Sequence, residues 1–117
     1  MSNRYRWFDA GLNLFAAQFA QRQQQLLDDG LAADVDSVLL ISSDLAESQL
    51  NLAFTHPTVR TFATAGVHPH QAAHVAADWQ QQLSLLLQNA VAVGECGLDY
   101  NRMFSPKPQQ QQVFATQ

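Results

Sequence analysis

Val91-Ala92-Val93-Gly94-Glu95-Cys96-Gly97-Leu98-Asp99-Tyr100 joins a buried-strand pattern directly to a carboxylate and a glycine-rich bend. Ala90 to Val93 is a short apolar run rich in β-branched residues and closed by Gly94, which reads as a strand covered on both faces. Charge begins where the strand stops. In parallel α/β sheets and barrels, chemistry gathers at the carboxyl ends of strands, which favours a functional reading of Glu95. A carboxylate in this position also serves as a loop or N-cap acceptor, so the residue alone leaves both roles open. Cys96 reads as a small buried filler beside it.

The same pattern occurs upstream in Phe62-Ala63-Thr64-Ala65-Gly66-Val67-His68-Pro69-His70. Pro69 biases His68 toward an extended conformation, and residues two apart in an extended chain point to the same side, so two imidazoles are expected to face one site. Histidines in such a loop are often merely solvated. The tripeptide by itself allows that reading as well as a metal or substrate role.

Taken together, Gly66-Val67-His68-Pro69-His70, Gly94-Glu95-Cys96-Gly97-Leu98-Asp99-Tyr100-Asn101 and the opening Phe8-Asp9-Ala10-Gly11-Leu12-Asn13-Leu14 closely resemble the TatD family of metal-dependent deoxyribonucleases. That family lies within the amidohydrolase-like barrels, and the likeness runs from about Tyr5 to the last residue. It implies an α/β fold, the first half of a (β/α)8 barrel of the TIM type, with about four parallel strands and intervening helices. Such a barrel takes about 250 residues. The 117-residue chain is therefore expected to be a single partial domain, residues 1–117, broken off within the helix after the fourth strand.

By motif position, the resemblance makes Glu95 a metal-ligating carboxylate and places His68 and His70 as catalytic residues close to the metal and the scissile phosphate. It makes Asp99 and Asp9 residues that orient their neighbours from behind the ligands. The implied cofactor is a divalent metal, Mg2+ first, with Zn2+ or Mn2+ as alternatives, and the implied reaction is hydrolysis of DNA phosphodiesters by a metal-activated water. The wider family carries Asp-x-His-x-His at the end of its first strand, whereas here Gly11 and Asn13 follow Asp9 in the imidazole positions. Glycine offers no ligand. Asn13 offers a hard ion such as Mg2+ its carbonyl oxygen or a bridging water, or else begins a turn or helix. Two later histidines and an aspartate of the family have no counterpart in the chain, so an incomplete and inactive DNase is expected. The alternatives are a metal-dependent hydrolase of another ester or amide bond, and a non-catalytic remnant acting as a binding module.

Composition bounds the setting. The chain is 47% hydrophobic and 14% charged with a net charge of −4, which is globular rather than disordered. Its basic residues, Arg4, Arg6, Arg22, Arg60, Arg102 and Lys107, are scattered and form no phosphate-binding footprint. A metal-dependent nuclease acting on DNA, single-stranded or at its ends, need not carry one. A single cysteine excludes an internal disulfide and suits the cytoplasm. No secretory core is read in residues 1–15 and no run approaches about 18 apolar residues, so no membrane span is expected. Free strand edges and unpartnered apolar helix faces point to self-association.

Along the chain, the first strand is expected over Tyr5 to Phe8, leading into Asp9. A helix follows from about Ala16 to Asp29, stopped by Gly30. Ser37 to Ile41 reads as a strand buried on both sides. Asp44 with Glu47 marks the start of a helix running to about Phe54, and Ser42, Ser43 and Asp44 serve as caps or line a site. Thr58 to Gly66 is the third strand. A helix after His70 is indicated by Val75, Trp79, Leu83, Leu86 and Leu87, then a loop over Asn101 to Pro108 precedes a helix from Gln109. His56 and His74 are expected to face solvent.

Overall fold

Each apolar run in the chain finds its neighbour in sequence as its neighbour in space, giving one parallel sheet in the order β1-β2-β3-β4. The computed structural model describes residues 5–117. The strands are β1 (Trp7–Leu12), β2 (Val35–Leu40), β3 (Arg60–Ala65) and β4 (Ala92–Val93). Between and after them lie α1 (Gln23–Ala32), α2 (Leu45–Ala53), α3 (Trp79–Leu86) and α4 (Lys107–Thr116). Asp9 pairs with Val38, Leu40 with Ala63 and Ala65 with Val93, so the carboxyl ends of the strands lie side by side. The sheet curls into a half-barrel, as the (β/α)8 reading requires.

The core lies on the helix side of the sheet in two clusters divided along β3. Val38, Leu40 and Ala63 pack with Leu14, Leu27 of α1 and Val59 in the first. Ala65 and Val67 pack with Ala72, Trp79 and Leu83 of α3 and Val113 of α4 in the second. Asp44 caps α2 by accepting the Glu47 N–H at 2.7 Å, while the Glu47 carboxylate reaches back to the Ser43 N–H at 2.7 Å. That is the reciprocal box expected from the sequence, with the return bond one residue earlier.

Several expectations are corrected. The first helix does not begin at Ala16: Ala17–Phe19 form one 3-10 turn, Gln21 takes a positive φ of 62°, and the α-helix runs from Gln23 past Gly30. The chain turns instead at Asp34, with φ of 70°. The helix expected after His70 is likewise two pieces, a 3-10 helix over Pro69–His74 and then α3. β4 is two residues long, and Val91 and Val93 are exposed rather than covered, because β4 has no partner beyond it. β1 is longer than expected and takes in Asp9, but all of it except Leu12 is exposed. His56 does not face solvent. Its side chain is 2% exposed, its Nδ1 accepts the Thr58 and Val59 N–H groups, and its Nε2 lies 2.7 Å from Asp28 Oδ1, tying α1 to the start of β3. His74 is exposed as expected. Among the described residues, no helix is long and apolar enough to cross a membrane.

Leu40 is wholly buried between the two flanking strands and α1, whereas Leu85 is exposed on α3. Leu40→Ala is expected to cost about 2–5 kcal/mol of unfolding free energy in a urea titration, and Leu85→Ala less than about 0.5 kcal/mol.

Candidate functional site

The carboxyl ends of β2, β3 and β4 are stitched together by short side chains buried in the sheet. The Ser42 N–H donates to Thr64 Oγ1 at 3.1 Å, the Ser42 hydroxyl donates to the Thr64 carbonyl at 2.8 Å, and the Thr64 hydroxyl donates to the Gly94 carbonyl at 2.6 Å. Asn51 of α2 supports Ser42 from below through its amide nitrogen, at 2.8 Å from Ser42 Oγ. Backbone bonds complete the frame, with the Glu95 N–H on the Ser42 carbonyl at 2.7 Å and the His68 N–H on the Ser43 carbonyl at 2.8 Å. Ser42 and Ser43 are thus neither only caps nor side-chain lining: their carbonyls fix where Glu95 and His68 stand. Gly66 allows the approach. A Cβ at Gly66 would lie 2.7 Å from the Gly94 carbonyl carbon and 2.8 Å from the oxygens of Gly94 and Glu95.

On this frame the two imidazoles and two of the carboxylates converge. His68 Nε2 lies 3.8 Å from Glu95 Oε1, and His70 Nε2 lies 2.6 Å from Asp99 Oδ2. The two imidazole rings are 4.2 Å apart, edge to face. They do not meet by the alternation of an extended chain. His68 is extended at φ −63° and ψ 147°, as Pro69 dictates, but it caps the 3-10 helix that contains His70, and its Nδ1 accepts the His70 N–H at 3.0 Å. Burial outweighs the pull of Glu95 and holds the His68 pKa below the ordinary 6.5, and because Nδ1 accepts the His70 N–H the neutral ring carries its proton on Nε2, facing Glu95; a cation at Nε2 would require the tautomer in which that proton has moved to Nδ1. The Arg102 N–H, the His70 imidazole and the Asn101 N–H hold Asp99 down to about 2, so its carboxylate is ionised.

Asp9 lies in β1 and Asn13 just beyond its carboxyl end. Asp9 Oδ1 accepts the N–H of its own neighbour Gly11 at 3.0 Å, and Asn13 is exposed beyond the end of β1. Cys96 is exposed, not a buried filler: it lies in the irregular segment that follows the edge strand β4.

Three supporting residues escaped the sequence reading. Gln110 of α4 is buried, accepts the Asp99 N–H at 2.7 Å and donates to the Asp99 and Ser105 carbonyls, clamping the loop that carries Asp99. Ser105 donates to the His70 carbonyl at 3.1 Å, and Phe104 sets its ring edge-on to His70 at 4.7 Å. Gln110 sits in a run of four glutamines, and nothing in that run distinguishes it before α4 is docked.

His68 Nε2 and Glu95 Oε1 are close enough to share one ion, since two donors each about 2.1 Å from a divalent metal can stand up to about 4.2 Å apart. They supply two donors. No third histidine, cysteine or carboxylate joins them in a metal-sized cluster among the described residues. The His70 nitrogen nearest the site is taken by Asp99.

A curled parallel sheet with imidazoles and carboxylates gathered at its strand ends is the sector of a (β/α)8-type barrel in which such folds place their chemistry. The family model for TatD related DNases matches residues 8–117, and the chain belongs to that family. It is 38% identical over 112 residues to the 3'-5' ssDNA/RNA exonuclease TatD of Enterobacter lignolyticus, covering 94% of this chain and 43% of that protein. The proteins of the same name from Rahnella sp. and Erwinia tasmaniensis are 39% and 40% identical, with 94% of this chain aligned to 43% and 44% of theirs. The chain spans less than half the length of these relatives.

Because Asp99 is held below the ordinary 3.8, its ionised form stabilises the fold above about pH 4, and that contribution is lost as pH falls toward 2. The stability difference between wild type and Asp99→Asn is accordingly expected to be largest above pH 4 and to vanish near pH 2 in parallel denaturant titrations. Gly66→Ala is expected to force the Gly94–Glu95 backbone away, seen as large amide chemical-shift changes at Glu95 and Ser42 together with a loss of stability.

Proposed function

We propose that this chain supplies the amino-terminal share of a metal-dependent nuclease site. The observation that carries the reading is the His68–Glu95 pair at the carboxyl ends of β3 and β4, an imidazole nitrogen and a carboxylate oxygen 3.8 Å apart in a member of the TatD related DNase family. His68 Nε2 and Glu95 are the donors for a divalent cation, with Mg2+ the first choice and Zn2+ or Mn2+ the alternatives, and Asn13, just beyond the carboxyl end of β1, is a further oxygen donor. A divalent ion held there supplies positive charge for the phosphate and activates a water for its hydrolysis.

The chain's own groups divide the remaining work. Asp99 holds His70 Nε2 and fixes the orientation of the ring, so its other nitrogen is set to exchange a proton with the substrate or to bond a phosphate oxygen. Gln110, Ser105 and Phe104 keep that pair from turning. Asp9 shapes the β1 end by bonding its own backbone. With a net charge of −4, the protein itself attracts phosphate poorly, which puts the burden of substrate attraction on the bound cation.

The substrate proposed for the whole protein is single-stranded DNA or RNA attacked from its 3' end, in line with the names of the three relatives. The compartment proposed is the cytoplasm, where the exposed Cys96 stays reduced. Tyr5, Trp7 and Phe8 on or beside β1, with Val91 and Val93 at β4, leave both sheet edges apolar and open, and these edges are proposed to drive self-association of the isolated chain.

Two donors fall short of a ligand set that holds a catalytic metal, so the 117-residue chain alone is expected to show no appreciable nuclease activity. A complete protein carrying this segment is expected to shorten 3'-labelled single-stranded DNA only with Mg2+ present, and to lose at least about a hundredfold of that rate with Glu95→Ala. Mg2+-dependent cleavage by the complete Glu95→Ala protein at the wild-type rate would remove Glu95 from the site.

A further inference from the structure

Outside the His68–Glu95 cluster, a cleft of about 270 Å3 lies between the start of α2, the 3-10 helix over Pro69–His74 and α3. Asp44, Val67, Gln71, His74, Trp79 and Gln82 contribute to its wall. We propose that it is a base-binding subsite, which takes a purine or cytosine ring of the nucleic acid; this rests on the nuclease reading above for its source of ligand.

Four features of the cavity point to a base. Its volume lies just under the range of about 300–1,000 Å3 typical for drug-sized ligands, which suits one heteroaromatic ring system. Its wall combines the Trp79 indole and the Val67 and Val75 side chains with groups able to read a ring edge. Those groups are uncommitted: the His74 imidazole, the Gln71 amide and the Trp79 indole N–H make no hydrogen bond among the described residues, and only one Asp44 oxygen is used, by the Glu47 N–H. Finally, no lysine or arginine lines the cavity, and Asp44 would repel a phosphate. The base enters, and the phosphate stays outside.

Position links the cavity to the candidate site. Val67 and Gln71 in its wall bracket His68-Pro69-His70, and Asp44 lies next to Ser43, whose carbonyl holds the His68 N–H. The cavity therefore adjoins the segment that carries the imidazole pair. The residues that line the cavity all come from α2 and its cap, α3 and the segment between β3 and α3. The free Asp44 oxygen gives a preference as well as a place: it accepts from an exocyclic amino group, which adenine, guanine and cytosine carry in the ring edge and thymine lacks.

The test uses nucleosides, which have no phosphate, in metal-free buffer. Adenosine and thymidine are titrated into the 117-residue chain in a Trp7→Phe background, so that Trp79 is the only emitting indole. Adenosine is expected to change Trp79 emission saturably and thymidine to bind roughly tenfold more weakly, the difference of one charge-assisted hydrogen bond. His74→Ala is expected to weaken adenosine roughly fivefold to tenfold, and Ala76→Phe, which fills the cavity from an exposed position, to abolish the signal while circular dichroism stays unchanged. Saturable binding that survives Ala76→Phe, equal binding of the two nucleosides, or no emission change with either overturns the proposal. The complete protein separates this from the nuclease reading. If it degrades single-stranded DNA but its Ala76→Phe form has an unchanged KM, the subsite fails and the nuclease reading stands; adenosine binding by a complete protein that cleaves no nucleic acid leaves the subsite and removes that reading.

Discussion

Thr64 is the residue through which the ends of three strands communicate. Its hydroxyl accepts from the Ser42 N–H and donates to the Gly94 carbonyl, while its own carbonyl accepts from the Ser42 hydroxyl. A buried hydroxyl that lost one of these partners would carry a desolvation cost of about 1–3 kcal/mol, so the three strand ends are held in one relative position rather than a range. Everything functional hangs from that position. Glu95 follows Gly94, its N–H is fixed on Ser42, and His68 is fixed on Ser43, so the distance between the imidazole and the carboxylate is set by backbone geometry. Gly66 is what makes the approach possible, since even a methyl group there collides with the Gly94–Glu95 backbone beside it.

The same sheet that is well held at its strand ends is poorly covered at its edges. β2 and β3 lie between neighbours and bury Val38, Leu40, Ala63 and Ala65, while β1 and β4 have a neighbour on one side only and expose Trp7, Phe8, Val91 and Val93. Apolar area of this kind is stabilising only when removed from water, and in barrels it is removed by the strands that close the circle. The site shares this asymmetry. His68 and Glu95 offer two donors toward the open side of the sheet, and His70 and Asp99 form a bonded pair beside them.

Where sequence reading and structure part, the cause is packing between elements that are distant in sequence. His56 follows a helix and precedes a proline, which describes a solvent-facing turn; it is buried because Asp28, on α1, lies opposite and takes its Nε2. The two imidazoles come together through a 3-10 turn that His68 itself caps, a geometry that places residues i and i+2 closer than the extended chain anticipated. Cys96 and β4 were expected to be enclosed because a run of β-branched residues signals a central strand, and that signal is silent about whether the neighbouring strand is there. Gln110 and Ser105 hold the Asp99 loop and the His70 carbonyl only because α4 folds back across the 3-10 helix.

The sequence by itself determined the class of fold, the order of its strands, the Asp44 and Glu47 cap, and the identity of the imidazoles and carboxylate that gather at the strand ends. These follow from local patterns: apolar runs of strand length, a proline after His68, glycines where backbone must pass close, and motif spacing. Tertiary structure alone decided which side chains face one another, that Asp99 pairs with His70 and Glu95 with His68, and that uncharged residues such as Thr64, Ser42 and Gln110 hold them. The physical reason is range. Backbone preference is set within a few residues, whereas a hydrogen bond between Thr64 and Gly94, 30 positions apart in the chain, exists only after the segment between them has folded and brought the two strands side by side.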